Sequence, residues 1–111
     1  MAKDIKLIVY PVHDLQAAKT FYGAFLGVEP YVDGAYYVGY KLGNLEVGLD
    51  PNGQDVIGYV DVDDIKSYLQ TLVDAGATTQ QEPKDVGGGL LIAQVKDADG
   101  NVLGLRQSPG N

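Results

Sequence analysis

The chain has 111 residues, no cysteine, no tryptophan and a formal net charge of −7 at pH 7. That length suits one domain, or two small halves sharing a core, and buries roughly two thirds of the unfolded surface without covalent staples. The lack of cysteine excludes disulfides, thiolate metal sites and a cysteine nucleophile, and scattered Lys and Arg on an acidic chain argue against nucleic acid, whose phosphates need clustered cations. With a single histidine, His13, the usual zinc and copper donor sets are nearly absent. Met1-Ala2-Lys3-Asp4 lacks an apolar signal region, and no apolar run is long enough to span a membrane. The expected location is the cytoplasm, with no membrane partner.

Residues 4–12 read as a β-strand, rich in β-branched residues and ended by Pro11. His13 is a turn residue before Asp14, which stands where a helix N-cap belongs. Residues 15–26 carry Leu15, Ala18, Tyr22, Phe25 and Leu26 on one helical stripe, with Gly27 as C-cap. Residues 30–33 form a short strand and Asp33-Gly34 a hairpin turn. Ala35 to Leu42 reads as a tyrosine-rich strand, and Leu45 to Leu49 as the next, after Gly43-Asn44.

Residues 50–55 are a turn-rich connector, after which the order repeats. Val56 to Val62 is a strand, Asp63-Asp64 caps a helix over 65–75, and Gly76 is its C-cap. Residues 77–82 make a polar edge strand, and residues 84–89 a loop with three consecutive glycines. Leu90 to Val95 and Val102 to Arg106 are the last two strands. The triple-glycine loop is no phosphate-binding loop, because it leads into a strand and no Gly-Lys-Ser or Gly-Lys-Thr follows. A flap and a plain hairpin both remain open for it.

The two halves echo each other. Gly43-Asn44-Leu45-Glu46-Val47-Gly48-Leu49 returns as Gly100-Asn101-Val102-Leu103-Gly104-Leu105, and Val12-His13-Asp14-Leu15 as Val62-Asp63-Asp64-Ile65. A period of about fifty residues with two copies indicates two strand-helix-three-strand units rather than a solenoid.

This duplication, the helix opening on Asp14-Leu15 with Phe21-Tyr22 and Leu26-Gly27, and the closing Asp97-x-Asp99-Gly100-Asn101 together resemble the vicinal oxygen chelate superfamily over essentially the whole chain. That is the glyoxalase, bleomycin-resistance and extradiol-dioxygenase group. The resemblance implies an α+β fold: two βαβββ modules, residues 1–52 and 53–111, forming a curved mixed sheet around a central cavity with the helices outside. It also implies a homodimer. The family's enzymes hold a divalent metal through His, Gln or Glu on the first and last strands of each module. Carried over from the Asp-Leu and Asp-Gly-Asn landmarks, those positions are Leu7, Gly48, Ile57 and Gly104, none of which is a donor, so the expectation is no metal and no cofactor.

Strand alternation then adds Ile5, Val9, Glu46, Tyr59, Asp61, Val102 and Arg106 to the same lining, with Tyr37 as a ring that could stack on a planar ligand. The expected ligand-binding residues are Leu7, Val9, Tyr37, Glu46, Gly48, Ile57, Tyr59, Asp61, Gly104 and Arg106. Glycine at two former ligand positions leaves room for a pocket; the alternative is a filled core in which those glycines let the sheets approach. Glu46 is the best candidate for a general base or a cation's counter-ion, and Arg106 for a carboxylate or phosphate partner; the two could instead pair with each other. Tyr10 and Tyr22 are assigned to packing.

The reading these residues favour is a metal-free small-molecule-binding protein that sequesters a cationic or aromatic compound, as the bleomycin-resistance branch does with antibiotics. Two others stay open. One is a glyoxalase-like lyase, isomerase or dioxygenase relative, with Glu46 as base and Tyr59 or Arg106 as electrophilic support. The other is a module that only mediates association.

Overall fold

A computed structural model describes residues 3–110. Met1, Ala2 and Asn111 lie outside the described residues, and with them half of the N-terminal tetrapeptide read above. The elements are β1 (Ile5–Pro11), α1 (Leu15–Leu26), β2 (Val32–Asp33), β3 (Val38–Leu42), β4 (Leu45–Asp50), β5 (Ile57–Asp61), α2 (Ile65–Asp74), β6 (Thr78–Asp85), β7 (Leu91–Lys96) and β8 (Val102–Gln107). This is an α+β fold of eight strands and two helices among the described residues. Among the described residues no helix is long and apolar enough to cross a membrane.

The chain divides into two compact units. One is Lys6–Ile57; the other begins at Gly58 and takes in Ile5 as well. In the first unit β1 runs parallel to β4, and β4 and β3, then β3 and β2, pair antiparallel. In the second, β5 runs parallel to β8, and β8 and β7, then β7 and β6, pair antiparallel. The two pairing schemes are the same, which is the duplication seen in the sequence. A parallel pair cannot be closed by a hairpin. In each unit the helix and the following strands supply the crossover.

Each helix covers one sheet face because both elements are patterned for it. In the first unit Val38, Tyr40, Val47 and Leu49 point toward Leu15 of α1, with Tyr10, Tyr22 and Leu26 packed around them. The assignment of Tyr10 and Tyr22 to packing therefore holds, whereas Phe25, read on the same stripe as Tyr22, lies 70% exposed, because Leu26 and Tyr22 take the core-facing places of the last turn of α1. Tyr40 is fully buried, and its phenol donates to the Lys19 carbonyl at 3.0 Å, which satisfies the one polar atom that this ring takes inside. In the second unit Val62, Ala93, Val95 and Leu105 meet Ile65 and Leu69 of α2. Gln107 accepts the Ile65 amide at 2.7 Å and so fastens β8 to the start of that helix. Asp14 and Asp64 cap the two helices by accepting the amides of Ala17 and Ser67.

Several boundaries move. Ala35, Tyr36 and Tyr37 precede β3 instead of belonging to it, because the Gly34 amide bonds the Tyr37 carbonyl and closes a turn. Helix α2 is capped by Ala75, with Gly76 one residue beyond at φ 113°. Strand β6 continues to Asp85, since Lys84 and Asp85 pair with Ile92 and Leu91, and Pro83 falls in a stretch of shifted register. The remaining loop closes a hairpin: the Val86 amide bonds the Leu90 carbonyl, and Gly87, Gly88 and Gly89 all take positive φ. That backbone favours glycine.

The turn before β8 is held by Asp97. Its carboxylate accepts the Asn101 side-chain amide at 3.0 Å and the backbone amides of Asn101 and Asp99 at 2.8 and 2.9 Å. The Asn101 side chain, then its backbone amide, hold the Asp97 carboxyl below the usual carboxylate range. Bonds that favour the ionised form add stability above the ordinary pKa, and lose it as pH falls through the lowered one. Asp97→Asn is therefore expected to lower the urea midpoint at neutral pH and to leave a smaller drop on acidification than in the parent. An unchanged acid-side slope would contradict this role.

Candidate functional site

The face opposite α1 in the first unit is built on two glycines. Gly39 and Gly48 are register partners on β3 and β4, and both are buried. A Cβ at Gly48 would lie 2.0 Å from the Tyr37 Oη and 2.6 Å from its Cζ; a Cβ at Gly39 would lie 3.3 Å from the rings of both Tyr31 and Tyr37. The two glycines thus form a floor on which two tyrosine rings rest. The turn at Gly34 releases Tyr37 from the strand and lets its ring lie across the sheet. Tyr31 reaches the same floor from just before β2, where its amide bonds the Gly39 carbonyl at 2.9 Å.

Glu46 lies two residues before Gly48 and pairs in register with Lys41 and Leu7. Its carboxylate accepts the Tyr31 phenol. The Lys41 ammonium lies over the Tyr31 ring, 5.0 Å from its centroid. Leu7 is buried and Val9, opposite Gly48 on β1, is half-buried. Five expected residues, Leu7, Val9, Tyr37, Glu46 and Gly48, therefore share one face, and Tyr31, Gly39 and Lys41 join them.

The second unit solves the same problem from another strand. Tyr59 on β5 is the register partner of Gly104 on β8, as Val9 is of Gly48. A Cβ at Gly104 would lie 2.2 Å from the Tyr59 Cδ1 and 2.6 Å from its Cγ, so the ring lies flat over the glycine. Tyr59 is only 5% exposed. Its phenol accepts the Gln94 side-chain amide at 2.9 Å, and Gln94 accepts from Gln80 at 3.0 Å. Beside them Arg106 makes a two-point pair with Asp61, Nε to Oδ1 at 2.7 Å and Nη2 to Oδ2 at 3.3 Å. Ile57 opens β5 and is half-buried, on the alternation of Tyr59 and Asp61. A separate cleft of about 350 Å³ is lined by Asp61, Asp63, Gln107 and Pro109, and not by Tyr59, Gly104 or Arg106.

The room expected over Gly48 and Gly104 is thus corrected. Each glycine is covered by a tyrosine of its own unit, Tyr37 in one and Tyr59 in the other. Tyr31 stood in the sequence only as one of a cluster of tyrosines, and Gln80 and Gln94 were missed, because their spacing to the glycines is set by the turn at Gly34 and by the irregular register of β6. The one signal on hand was the pairing of Gly-rich strands with an excess of tyrosine, eight against two Phe.

The family model for the glyoxalase/bleomycin resistance protein/dioxygenase superfamily matches residues 4–105. The chain belongs to this superfamily. Solved structures agree on the fold. A superfamily member from Vibrio splendidus 12B01 is 20% identical, with a TM-score of 0.72 and coverage of 96% of this chain and 100% of that one. Methylmalonyl-CoA epimerase from Streptomyces coelicolor, in complex with 2-nitronate-propionyl-CoA, is 20% identical, with a TM-score of 0.73 and coverage of 96% and 97%. A Mn(II)-bound glyoxalase from Novosphingobium aromaticivorans is 21% identical, with a TM-score of 0.72, over 94% of this chain and 38% of that one. A search of curated proteins finds no match.

At the four positions that the resemblance carries over, the residues present are not metal donors. Leu7 and Ile57 offer alkyl groups, Gly48 and Gly104 offer no side chain and lie beneath tyrosine rings, and no three His, Cys, Asp or Glu side chains cluster among the described residues. A divalent ion needs imidazole or carboxylate donors.

The two glycines differ in what a methyl group would displace. At Gly48 it meets the tip of the half-buried Tyr37, which can swing; at Gly104 it meets the base of the buried Tyr59 ring, which cannot. Gly104→Ala is expected to cost about 1–3 kcal/mol in urea unfolding, and Gly48→Ala less. In a Tyr59→Val background the Gly104→Ala penalty should shrink, because Val stands at the matching Val9. Equal costs in all three settings would contradict the covering role of Tyr59.

Proposed function

We propose that this chain is a small-molecule-binding protein of its superfamily, working in the cytoplasm without the metal of the superfamily's enzymes, and that it sequesters a planar, cationic aromatic compound such as an antibiotic. The observation that carries this reading is the glycine floor of the first unit under Tyr31 and Tyr37. Tyrosine presents a flat apolar face with a polar edge, suited to stacking against a planar ring. Tyr31 is 49% exposed and Tyr37 half-buried, so ring surface remains for a ligand. The neighbouring Glu46 and the charge of −7 favour a cation.

In the second unit the groups are engaged in holding each other: Tyr59 with Gln94, Arg106 with Asp61. This supports binding over turnover, since Tyr59 and Arg106 are the electrophilic support that a Glu46-based reaction would use. The outer side of α1 carries Phe21 and Phe25, 63% and 70% exposed with near-parallel rings 6.4 Å apart, an apolar strip that supports a homodimer.

The absence of tryptophan makes tyrosine emission a clean reporter. Titration with a planar acridinium dye is expected to quench it with a dissociation constant well below millimolar. Tyr37→Ala should weaken binding about tenfold, the loss of one stacking contact, with the fold intact by circular dichroism. No binding tighter than millimolar across a panel of planar cations would overturn the reading.

A further inference from the structure

We propose that the Tyr31 ring is the seat for the ligand's cationic group, and that Lys41 is a built-in occupant of that seat which the ligand must displace. The inference rests on the binding reading above and names the part of the site that selects charge.

Three observations meet at Tyr31. Its phenol donates to the Glu46 carboxylate. A phenol that donates to an anion gains electron density, which strengthens the negative face of its ring and its attraction for a cation. Its ring already holds a cation: the Lys41 ammonium, 5.0 Å from the centroid. And the ring rests on Gly39, with Tyr37 on the same glycine, so a planar group stacked on Tyr37 would bring an attached cation to the edge of the Tyr31 seat.

Lys41 is suited to yield that place. It is exposed, stands on β3 opposite Glu46, and its flexible stem lets the ammonium swing into water while the strand stays fixed. A cation bound over an exposed ring is held weakly, so the occupant tunes affinity without blocking the site. A neutral planar compound has nothing to gain from the exchange. Lys41 thereby acts as a specificity-determining residue.

The test compares the wild-type chain with Lys41→Gln, using the acridinium dye and a neutral acridine analogue of the same ring size. Lys96→Gln, on β7, serves as a control with the same change of net charge. Lys41→Gln is expected to tighten dye binding about two- to fivefold, the exchange of one exposed cation–π contact. The neutral analogue and the Lys96→Gln control should show no such gain. In parallel, the Lys41 ε-methylene signal in proton–carbon NMR should lie upfield in the free wild-type protein and move to its ordinary position when the dye saturates.

If the dye binds both proteins equally and the methylene signal stays put, the binding reading stands and the role of Lys41 is overturned. Equal tightening by Lys96→Gln overturns it as well. If the dye binds neither protein, the binding reading itself fails.

Discussion

The constraint on which this structure turns is the absence of a Cβ at Gly48 and Gly104. A tyrosine side chain can come this close to a strand only where the residue beneath it has no side chain, and both glycines provide such a place, one per unit. In the first unit the ring comes from the turn before β3; in the second it comes from the neighbouring strand β5. The two faces are therefore not alike: Val9 stands opposite Gly48 where Tyr59 stands opposite Gly104. Tyr59 is buried and tied by Gln94, a filler of its own unit, whereas Tyr31 and Tyr37 keep ring surface exposed.

The same glycines stand at positions where the superfamily's enzymes are expected to carry metal donors. Glycine at these positions leaves a floor on which an aromatic ring can rest, and it is this surface that the proposed binding reading uses. A widely used fold can host different site chemistries. Glu46 remains nearby, and its bond to Tyr31 makes it part of the aromatic surface.

Much of the fold was legible because it rests on local signals that repeat. The caps Asp14 and Asp64, the stripes of the two helices and the Asp97–Asn101 turn place both helices and the last strand, and the echo around Gly48 and Gly104 gives the duplication. The resemblance supplied Leu7, Gly48 and Gly104, and alternation from them added Val9, Glu46, Tyr59, Asp61 and Arg106 to a single expected lining; within each unit a period of two does keep its members on one face. What the sequence did not display is which side chain fills the space over each glycine. That depends on a four-residue turn that frees Tyr37 and on the irregular register that sets Gln81 opposite Gln94 and brings the Gln80 side chain within hydrogen-bond reach of it. Both are long-range results of backbone geometry, with no local signature.

The most direct test of the account is a titration of the ring-labelled tyrosines by aromatic NMR with a planar cation. The eight rings report separately on the two cores and on the glycine floor. Shifts concentrated at Tyr31 and Tyr37, with Tyr10, Tyr22 and Tyr40 unmoved, are the expected result. Shifts absent from Tyr31 and Tyr37, or confined to the core tyrosines, would contradict it.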